Sequence, residues 1–293
     1  LRGIVDIFGA ESVGVAAPTG KAAVRLSESM ERYNLPLRAR TIHSLLGVES
    51  ADDGDGWSFK YGDGLTSLGQ RKPKLPYRWL VLDETSMNDV PLMASVLAAR
   101  GRGTGVLLVG DVHQLPPVGH GAPLRDLIAS GIPYAELTEI KRNAGTIVEA
   151  CAAIRDGNTF TVDRVDDLDP EPSDPLTAPR NLTLLPASTP ERCIDRMFEA
   201  LNIAFERFKY DQVWDCQIII AVNKRSPLCR VNLNKLLQDR LNATGARTEG
   251  SSYRIGDKCI VLKNSFFREV KDGEDSKEKI YVANGEFNEI TAV

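Results

Sequence analysis

Six short apolar runs constrain the fold of this chain more than any other feature of its sequence. Each run ends at small or acidic residues, and most precede a segment with helical periodicity. Strands that are apolar on both faces are typical of parallel sheets covered by helices on both sides. The runs occupy residues 12–17, 79–83, 106–109, 135–137, 182–185 and 217–221. They predict two α/β units, each built on a parallel sheet.

Changes in composition predict the domain organisation. Residues 158–180 hold six acidic residues and four prolines with little apolar periodicity, which favours an exposed connection. Residues 47–76 are rich in Gly, Asp and Ser and predict a small insertion that carries a β-hairpin. From residue 253 onward the pattern alternates as in strands, and Asn284-Gly285 favours a type I′ hairpin turn within a small antiparallel barrel. We therefore expect domains at residues 1–142, 143–247 and 248–293.

Residues typical of helix ends predict two helices in the second unit. Thr189 is a candidate N-cap before Pro190, and Gly157 is placed to end a shorter helix. We expect the apolar stripes of both helices to be packed faces. The stripes consist of Ile147, Ala150, Cys151 and Ile154 in the shorter helix and of Ile194, Met197, Phe198, Leu201, Phe205 and Phe208 in the longer one.

Composition excludes some classes of protein. The 293 residues are 42% hydrophobic, which is enough for about two domains. A net charge of −4 provides no bulk attraction to nucleic acid, so such a partner requires a local groove. No apolar run reaches the roughly 20 residues of a membrane span, and the five cysteines lack CxxC spacing. We expect a soluble cytoplasmic protein with reduced thiols.

Adjacent carboxylates follow the run at residues 79–82. Asp83 and Glu84 stand at the carboxyl end of a predicted strand, where open α/β sheets bind ligands. In a nucleotide site Asp83 would hold Mg²⁺, and Glu84 would orient or deprotonate the attacking water. A solvated acidic turn is the alternative.

Two further polar residues follow predicted strands. Gln114 lies in a loop stiffened by Pro116 and Pro117, where it is placed to sense a γ-phosphate; a turn without chemical role is the alternative. Arg142 follows the run at residues 135–137 and is placed to act as an arginine finger that neutralises transition-state charge. A surface salt bridge is the alternative for Arg142.

These segments together resemble the motifs of superfamily 1 DNA helicases, and the RecD-like group (the exodeoxyribonuclease V alpha-subunit family) in particular. Residues 83–87, 110–118 and 137–142 resemble motifs II, III and IV, and residues 15–23 and 40–47 resemble motifs Ia and Ib. Residues 233–238, 255–258 and 284–285 resemble the second motor domain and its SH3-like insertion. The resemblance implies two RecA-like P-loop NTPase domains, with a small β insertion in the first and part of an SH3-like barrel in the second.

The segment Pro18-Thr19-Gly20-Lys21 imitates a P-loop without being one. The pattern GxxxxGK[ST] needs glycine at position 15 and Ser or Thr at position 22, where this chain has Val15 and Ala22. The resemblance instead assigns Pro18, Thr19 and Lys21 to a DNA phosphate, contacted through the hydroxyl and the helix amides. A plain turn between strand and helix is the alternative.

Thr41 and His43 are assigned to DNA by the resemblance alone. For His43, a hydrogen-bonded core histidine is the alternative.

The resemblance implies an ATP-dependent helicase that moves 5′-to-3′ along single-stranded DNA in repair or recombination. Its cofactors would be ATP and Mg²⁺, and its partners single-stranded DNA, duplex junctions and recombination or nuclease subunits. The alternatives are a non-catalytic DNA-binding remnant and a P-loop NTPase without a nucleic-acid role. The Walker A loop and the last helicase motif are expected outside residues 1–293, so we expect a fragment that is inactive alone.

Overall fold

The computed structural model describes residues 1–50, 57–66, 68–141, 143–167, 179–221, 224–247, 250–263, 265–271 and 274–291. The chain divides into two compact units, one of Leu1–Tyr134 with Ile260–Glu286 and the other of Ala135–Cys259 with Phe287–Val293. The helices are α1 Arg2–Phe8, α2 Gly20–Arg32, α3 Ile42–Leu46, α4 Val90–Ala99, α5 Pro123–Ala129, α6 Thr146–Asp156, α7 Pro190–Phe208 and α8 Arg230–Leu241. The strands are β1 Val13–Ala17, β2 Arg40–Thr41, β3 Val48–Ser50, β4 Trp57–Phe59, β5 Trp79–Leu82, β6 Gly105–Leu108, β7 Lys258–Ile260, β8 Ser265–Lys271, β9 Glu274–Val282 and β10 Phe287–Glu289.

A four-stranded parallel sheet organises the first unit. Its strand order is β2-β1-β5-β6, and each neighbouring pair is parallel. In the register, Ala16 lies opposite Leu82, and Leu82 lies opposite Leu108. The predicted α/β fold with a parallel sheet and flanking helices is therefore confirmed for this unit.

Both faces of the sheet are buried, which explains why its strands are continuously apolar. Val13, Val15 and Ala17 pack in one cluster with residues of α2, while Ala16 packs in a second cluster with residues of α3 and α4. Leu80 in β5 has no exposed surface, and a side chain of this size contributes about 2 kcal/mol by its burial.

The expected hairpin forms within residues 47–76. Strands β3 and β4 pair antiparallel, with Val48 opposite Phe59. Phe59 and Tyr61 pack against the cluster formed by the sheet with α3 and α4. The hairpin is thus attached to the first unit by its aromatic residues.

The second unit forms its helices as predicted. Thr189 caps α7 by accepting the N–H of Arg192 at 3.2 Å, and Gly157 ends α6 with a left-handed φ of 72°. The predicted packing of the stripes is only partly present. Leu201 in α7 is buried, whereas Phe205 in the same stripe is 57% exposed.

Three strand predictions are wrong among the described residues. One is the last strand predicted for the first unit, and the other two are the strands predicted for the second unit, whose parallel sheet is not formed. Residues 135–137 and 217–221 form no strand, and Thr183 makes only an isolated bridge to Asp163. Leu137 is 99% exposed and Ile219 is 90% exposed. A strand requires a neighbouring backbone to complete its ladder, and an apolar run alone does not supply one.

The C-terminal segment contains two strand pairs, but its turn differs from the prediction. Strand β10 pairs with β7, and β8 pairs with β9. Between β9 and β10, Glu286 N–H donates to the carbonyl of Ala283 at 3.2 Å, and Gly285 alone of the two central residues has a positive φ, 92°. A type I′ turn requires positive φ at both central residues, so the turn is of the type II kind. It also does not join paired strands.

The cysteines are unpaired thiols, as expected. All five are free, and burial raises the pKa of the Cys216 thiol, as do the neighbouring charges of Asp215 and Asp211. This thiol therefore stays protonated at neutral pH. None of the helices in the described parts of the chain is long and apolar enough to cross a membrane.

Candidate functional site

The carboxyl ends of the four parallel strands bring most of the predicted site residues to one edge of the sheet. Ala17, the last residue of β1, lies opposite Thr41 in β2. Asp83, which follows β5, donates its N–H to the carbonyl of Ala16 at 2.9 Å. The loops that begin at Pro18 and Asp83 are therefore neighbours, as expected for parallel strands.

Glu84 is held in a backbone conformation that few residues adopt. It has φ 50° and ψ 37°, in the left-handed region, and its side chain is half-buried. This conformation costs about 1–2 kcal/mol for a residue with a Cβ. The N–H of Glu84 donates to Asp83 Oδ1 at 3.0 Å, which ties the two carboxylate residues together. Such strain is often found at functional sites.

Thr85 fixes the position of Glu84 from the other side. It is fully buried, and both its N–H and its Oγ1 donate to the carbonyl of Val109, at 2.9 and 2.8 Å. Because Val109 follows β6, this pair of hydrogen bonds joins the ends of β5 and β6. The sequence reasoning missed this role. The feature of the sequence that indicates this role is a threonine directly after the two carboxylate residues.

Gln114 lies in an exposed loop that is organised by Asp111. The Asp111 carboxylate accepts the N–H of His113 at 2.9 Å and the side-chain amide of Gln114 at 3.5 Å, the latter at the limit of a hydrogen bond. The N–H of Gln114 donates to the carbonyl of Asp111 at 3.2 Å. Asp111 is thus a second residue that was missed, although an Asp three residues before the glutamine is typical of a side-chain-stabilised turn.

A cavity of about 140 Å³ connects the segment after β5 with the loop after β6. It is lined by Ser86, Val112, Gln114, Pro116, Pro117, Ala122, Leu124 and Arg125. Ser86 Oγ is buried and has no hydrogen-bond partner among the described residues, and neither has the amide of Asn88, which has no exposed surface. Leaving a polar group unpaired in this way costs about 1–3 kcal/mol. Ordered water or a ligand commonly satisfies such groups.

Thr19 and Thr41 are both helix N-caps. Thr19 Oγ1 accepts the N–H of Ala22 at 3.2 Å at the start of α2, and Thr41 Oγ1 accepts the N–H of Ser44 at 3.1 Å at the start of α3. Each hydroxyl therefore has a structural role. An accepting hydroxyl retains its own hydrogen, which can still be donated to a phosphate oxygen.

The remaining predicted residues have different surroundings. Lys21 Nζ donates to the carbonyl of Gly285 at 2.9 Å. His43 is exposed rather than in the core, and its ring centroid is 6.0 Å from that of Phe59. Arg142 lies outside the described residues.

The carboxylate of Asp83 is a suitable ligand for Mg²⁺. Within the described ranges, no group of three or more His, Cys, Asp or Glu side chains is arranged to hold a metal ion. Mg²⁺ seldom requires such a cage, since one or two carboxylates, substrate phosphates and water usually complete its shell. The hydrogen bond from Glu84 engages one oxygen of the Asp83 carboxylate. A single half-buried carboxylate at a sheet edge suits this kind of coordination.

The chain is similar to several known proteins. The ATP-dependent RecD2 DNA helicase of Deinococcus radiodurans is 32% identical over 89% of this chain and 31% of its own length. The RecBCD enzyme subunit RecD of Mycobacterium tuberculosis is 35% identical over 55% of this chain and 30% of its own length. The chain thus spans about a third of the length of these relatives. A structure of Bacteroides Pif1 bound to ssDNA covers 98% of this chain and 73% of its own, with 15% identity and a TM-score of 0.38.

A family model described as an AAA domain matches residues 1–169, which is more than half of the 293 residues. The matched range includes β1, β5 and β6 and the carboxylates that follow β5. The chain therefore belongs to the AAA domain family, and its similarity to RecD-like superfamily 1 helicases is confirmed.

Proposed function

We propose that this chain forms part of the motor of an ATP-dependent DNA helicase, which moves 5′-to-3′ along single-stranded DNA in repair or recombination. The observation that carries the proposal is the pair Asp83 and Glu84, held by hydrogen bonds at the carboxyl edge of a parallel sheet. The loop that contains Gln114 lies beside the same strand ends. The name of the Deinococcus relative, an ATP-dependent DNA helicase, supports the same assignment.

Each residue of the nucleotide site has a proposed role in ATP hydrolysis. Asp83 holds Mg²⁺, which neutralises charge on the phosphates when it is bound. Glu84 orients or deprotonates the attacking water, and its constrained backbone keeps its carboxylate in place. Gln114 senses the γ-phosphate, and Arg142 acts as the arginine finger.

The DNA-contacting part of the proposal concerns the starts of two helices. Pro18 and Thr19 follow β1, and Thr41 ends the adjacent strand β2. His43 lies two residues after Thr41, in the first turn of α3. Hydroxyls and helix amides contact phosphates without reading bases, so binding would be independent of sequence. Lys21, which the resemblance also assigns to the phosphate, donates to the carbonyl of Gly285.

The proposal extends to the whole protein and its partners. It includes two RecA-like domains at residues 1–142 and 143–247, an insertion at residues 47–76, a connection at residues 158–180 and part of an SH3-like barrel at residues 248–293. The pairing of β7 with β10 and the antiparallel pairing of β8 with β9 support the barrel. Duplex junctions and nuclease or recombination subunits are the proposed partners, since one relative is named as a RecBCD enzyme subunit. We propose a cytoplasmic location.

The decisive experiment measures ATP hydrolysis by the natural protein that carries this chain, with and without single-stranded DNA. The 293 residues contain no GxxxxGK[ST] pattern, so the chain by itself should hydrolyse ATP negligibly. Glu84→Gln should lower turnover by about 10² or more while ATP still binds, because the carboxylate acts on water in the transition state. Glu28→Gln, the same change at an exposed position in α2, should leave turnover unchanged.

Three outcomes would contradict parts of the proposal. Unchanged turnover in Glu84→Gln would place the catalytic base elsewhere. Hydrolysis that DNA does not stimulate would favour an NTPase without a nucleic-acid role. DNA binding without any hydrolysis would favour a non-catalytic DNA-binding protein.

A further inference from the structure

The ammonium group of Lys21 contacts a turn that is very distant in the sequence. Lys21 is the second residue of α2, and its Nζ donates to the carbonyl of Gly285 at 2.9 Å across a separation of 264 residues. Both residues belong to the first compact unit, in which Ile260–Glu286 packs with Leu1–Tyr134. The hydrogen bond is partly buried.

The turn that receives Lys21 is internally braced. Ala283 is fully buried, and its N–H donates to Glu286 Oε1 at 3.0 Å. Gly285 N–H donates to the carbonyl of Val261 at 2.8 Å, and Val261 N–H donates to the carbonyl of Glu286 at 3.0 Å. The backbone of the turn is therefore fixed, and the carbonyl of Gly285 is presented to α2.

The stem of Lys21 also packs against the turn. A Cβ built on Gly285 would lie 3.2 Å from Lys21 Cδ and 3.6 Å from Lys21 Cβ. Glycine at this position meets two needs, since φ is 92° and the lysine stem approaches closely. The contact thus combines a charged hydrogen bond with apolar packing, as lysine side chains often do.

This geometry gives Lys21 a protein partner at the position where a phosphate contact was expected. At least one of the three N–H donors of its ammonium is directed to the carbonyl of Gly285. Thr19, the proposed phosphate contact, is two residues away at the cap of the same helix. The turn is therefore placed beside the proposed DNA-contacting loop.

We propose that Lys21 is a positioning residue that latches the turn Ala283–Glu286 onto the start of α2. The latch places this turn next to the loop of Thr19, where the turn restrains the release of a bound DNA strand. Lys21 acts on DNA through the turn and not as a ligand of a phosphate. The latch itself rests on the geometry, and its effect on DNA rests on the proposed function.

The first test follows the turn in the absence of DNA. Hydrogen exchange of the natural protein would be measured at the amides of Val261, Gly285 and Glu286. Lys21→Met keeps the aliphatic stem and removes the charged hydrogen bond, so exchange should become about tenfold faster. Lys21→Arg retains a long cationic donor and should restore slow exchange. Lys224→Met, the same change at an exposed lysine of the second unit, should leave the turn unaffected.

The second test separates positioning from phosphate binding. Dissociation of fluorescent oligothymidine would be followed by stopped flow, and its affinity measured over a salt titration. Lys21→Met should release DNA several-fold faster, with the salt dependence of affinity unchanged, and Lys21→Arg should restore slow release. A loss of one phosphate contact would instead make the slope of log affinity against log salt shallower, by about 0.7.

Each outcome decides the proposal. Unchanged hydrogen exchange in Lys21→Met would exclude the latch. A salt slope that becomes shallower by the equivalent of one phosphate contact would identify Lys21 as a DNA ligand. Faster exchange with unchanged DNA release would leave the contact purely structural, against the positioning role. If the wild-type protein bound no DNA, the proposed function would fail, while the exchange measurement would still decide whether the latch exists.

Discussion

Glu84 shows at the scale of one residue that the fold maintains an unfavourable backbone where the proposed chemistry is located. Asparagine adopts the left-handed region more readily than glutamate does. Glu84→Asn should therefore raise the free energy of unfolding by up to about 1 kcal/mol while hydrolysis is lost. Glu84→Gln removes the same charge but keeps the backbone penalty, so its stability should match the wild type. Urea denaturation measures both variants, and equal stability of the two would argue against strain at this position.

Thr19 and Thr41 each combine a helix cap with a proposed DNA contact, and substitutions can separate the two roles. Thr→Ala at either position removes the cap and the proposed DNA contact. It should lower the free energy of unfolding by about 1 kcal/mol and weaken DNA binding by about 1 kcal/mol. Thr→Asp retains the cap and adds a negative charge, so it should weaken DNA binding without loss of stability. Thr→Ser is the control that keeps both roles.

Denaturation and fluorescence anisotropy on unrelated DNA sequences provide the two measurements for the threonine variants. The loss of DNA affinity should be the same for every sequence, because phosphate contacts carry no base information. Wild-type DNA affinity in the two Thr→Ala variants, together with lowered stability, would make both residues caps alone.

At the scale of elements, the joint between β5 and β6 depends on Thr85. Thr85→Val preserves the shape of the side chain but removes the hydrogen bond from Oγ1 to the carbonyl of Val109. We expect a loss of about 1 kcal/mol in unfolding free energy, because the group is fully buried. ATP turnover should also fall, because Thr85 helps to hold the adjacent Glu84 in position. Thr85→Ser keeps the hydrogen bond and should retain more turnover than Thr85→Val, and the reverse order would exclude the joint as a support for Glu84.

The elements also show what the sequence could predict. The central strands, the capped helices and the edge that carries Asp83 follow from local patterns, because apolar runs and cap residues act over a few positions. Residues 217–221 show the limit, since an apolar run does not reveal whether a neighbouring backbone will pair with it. Thr85 with Val109 and Lys21 with Gly285 are joined across 24 and 264 residues, so no local pattern could predict either contact.

At the scale of the whole molecule, the net charge of −4 on these 293 residues limits how the proposed helicase can hold DNA. Without bulk attraction, binding must come from a local track that includes the loops after β1 and β2. Hydroxyls and backbone amides release few counterions, and Lys21 is directed to Gly285. We therefore expect the affinity of the natural protein for single-stranded DNA to fall with salt on a shallow slope, equivalent to about two to four phosphate charges. Anisotropy with oligothymidine and a mixed-sequence strand over a salt series measures this slope, and a value near eight phosphates would mean that a basic surface elsewhere holds the strand.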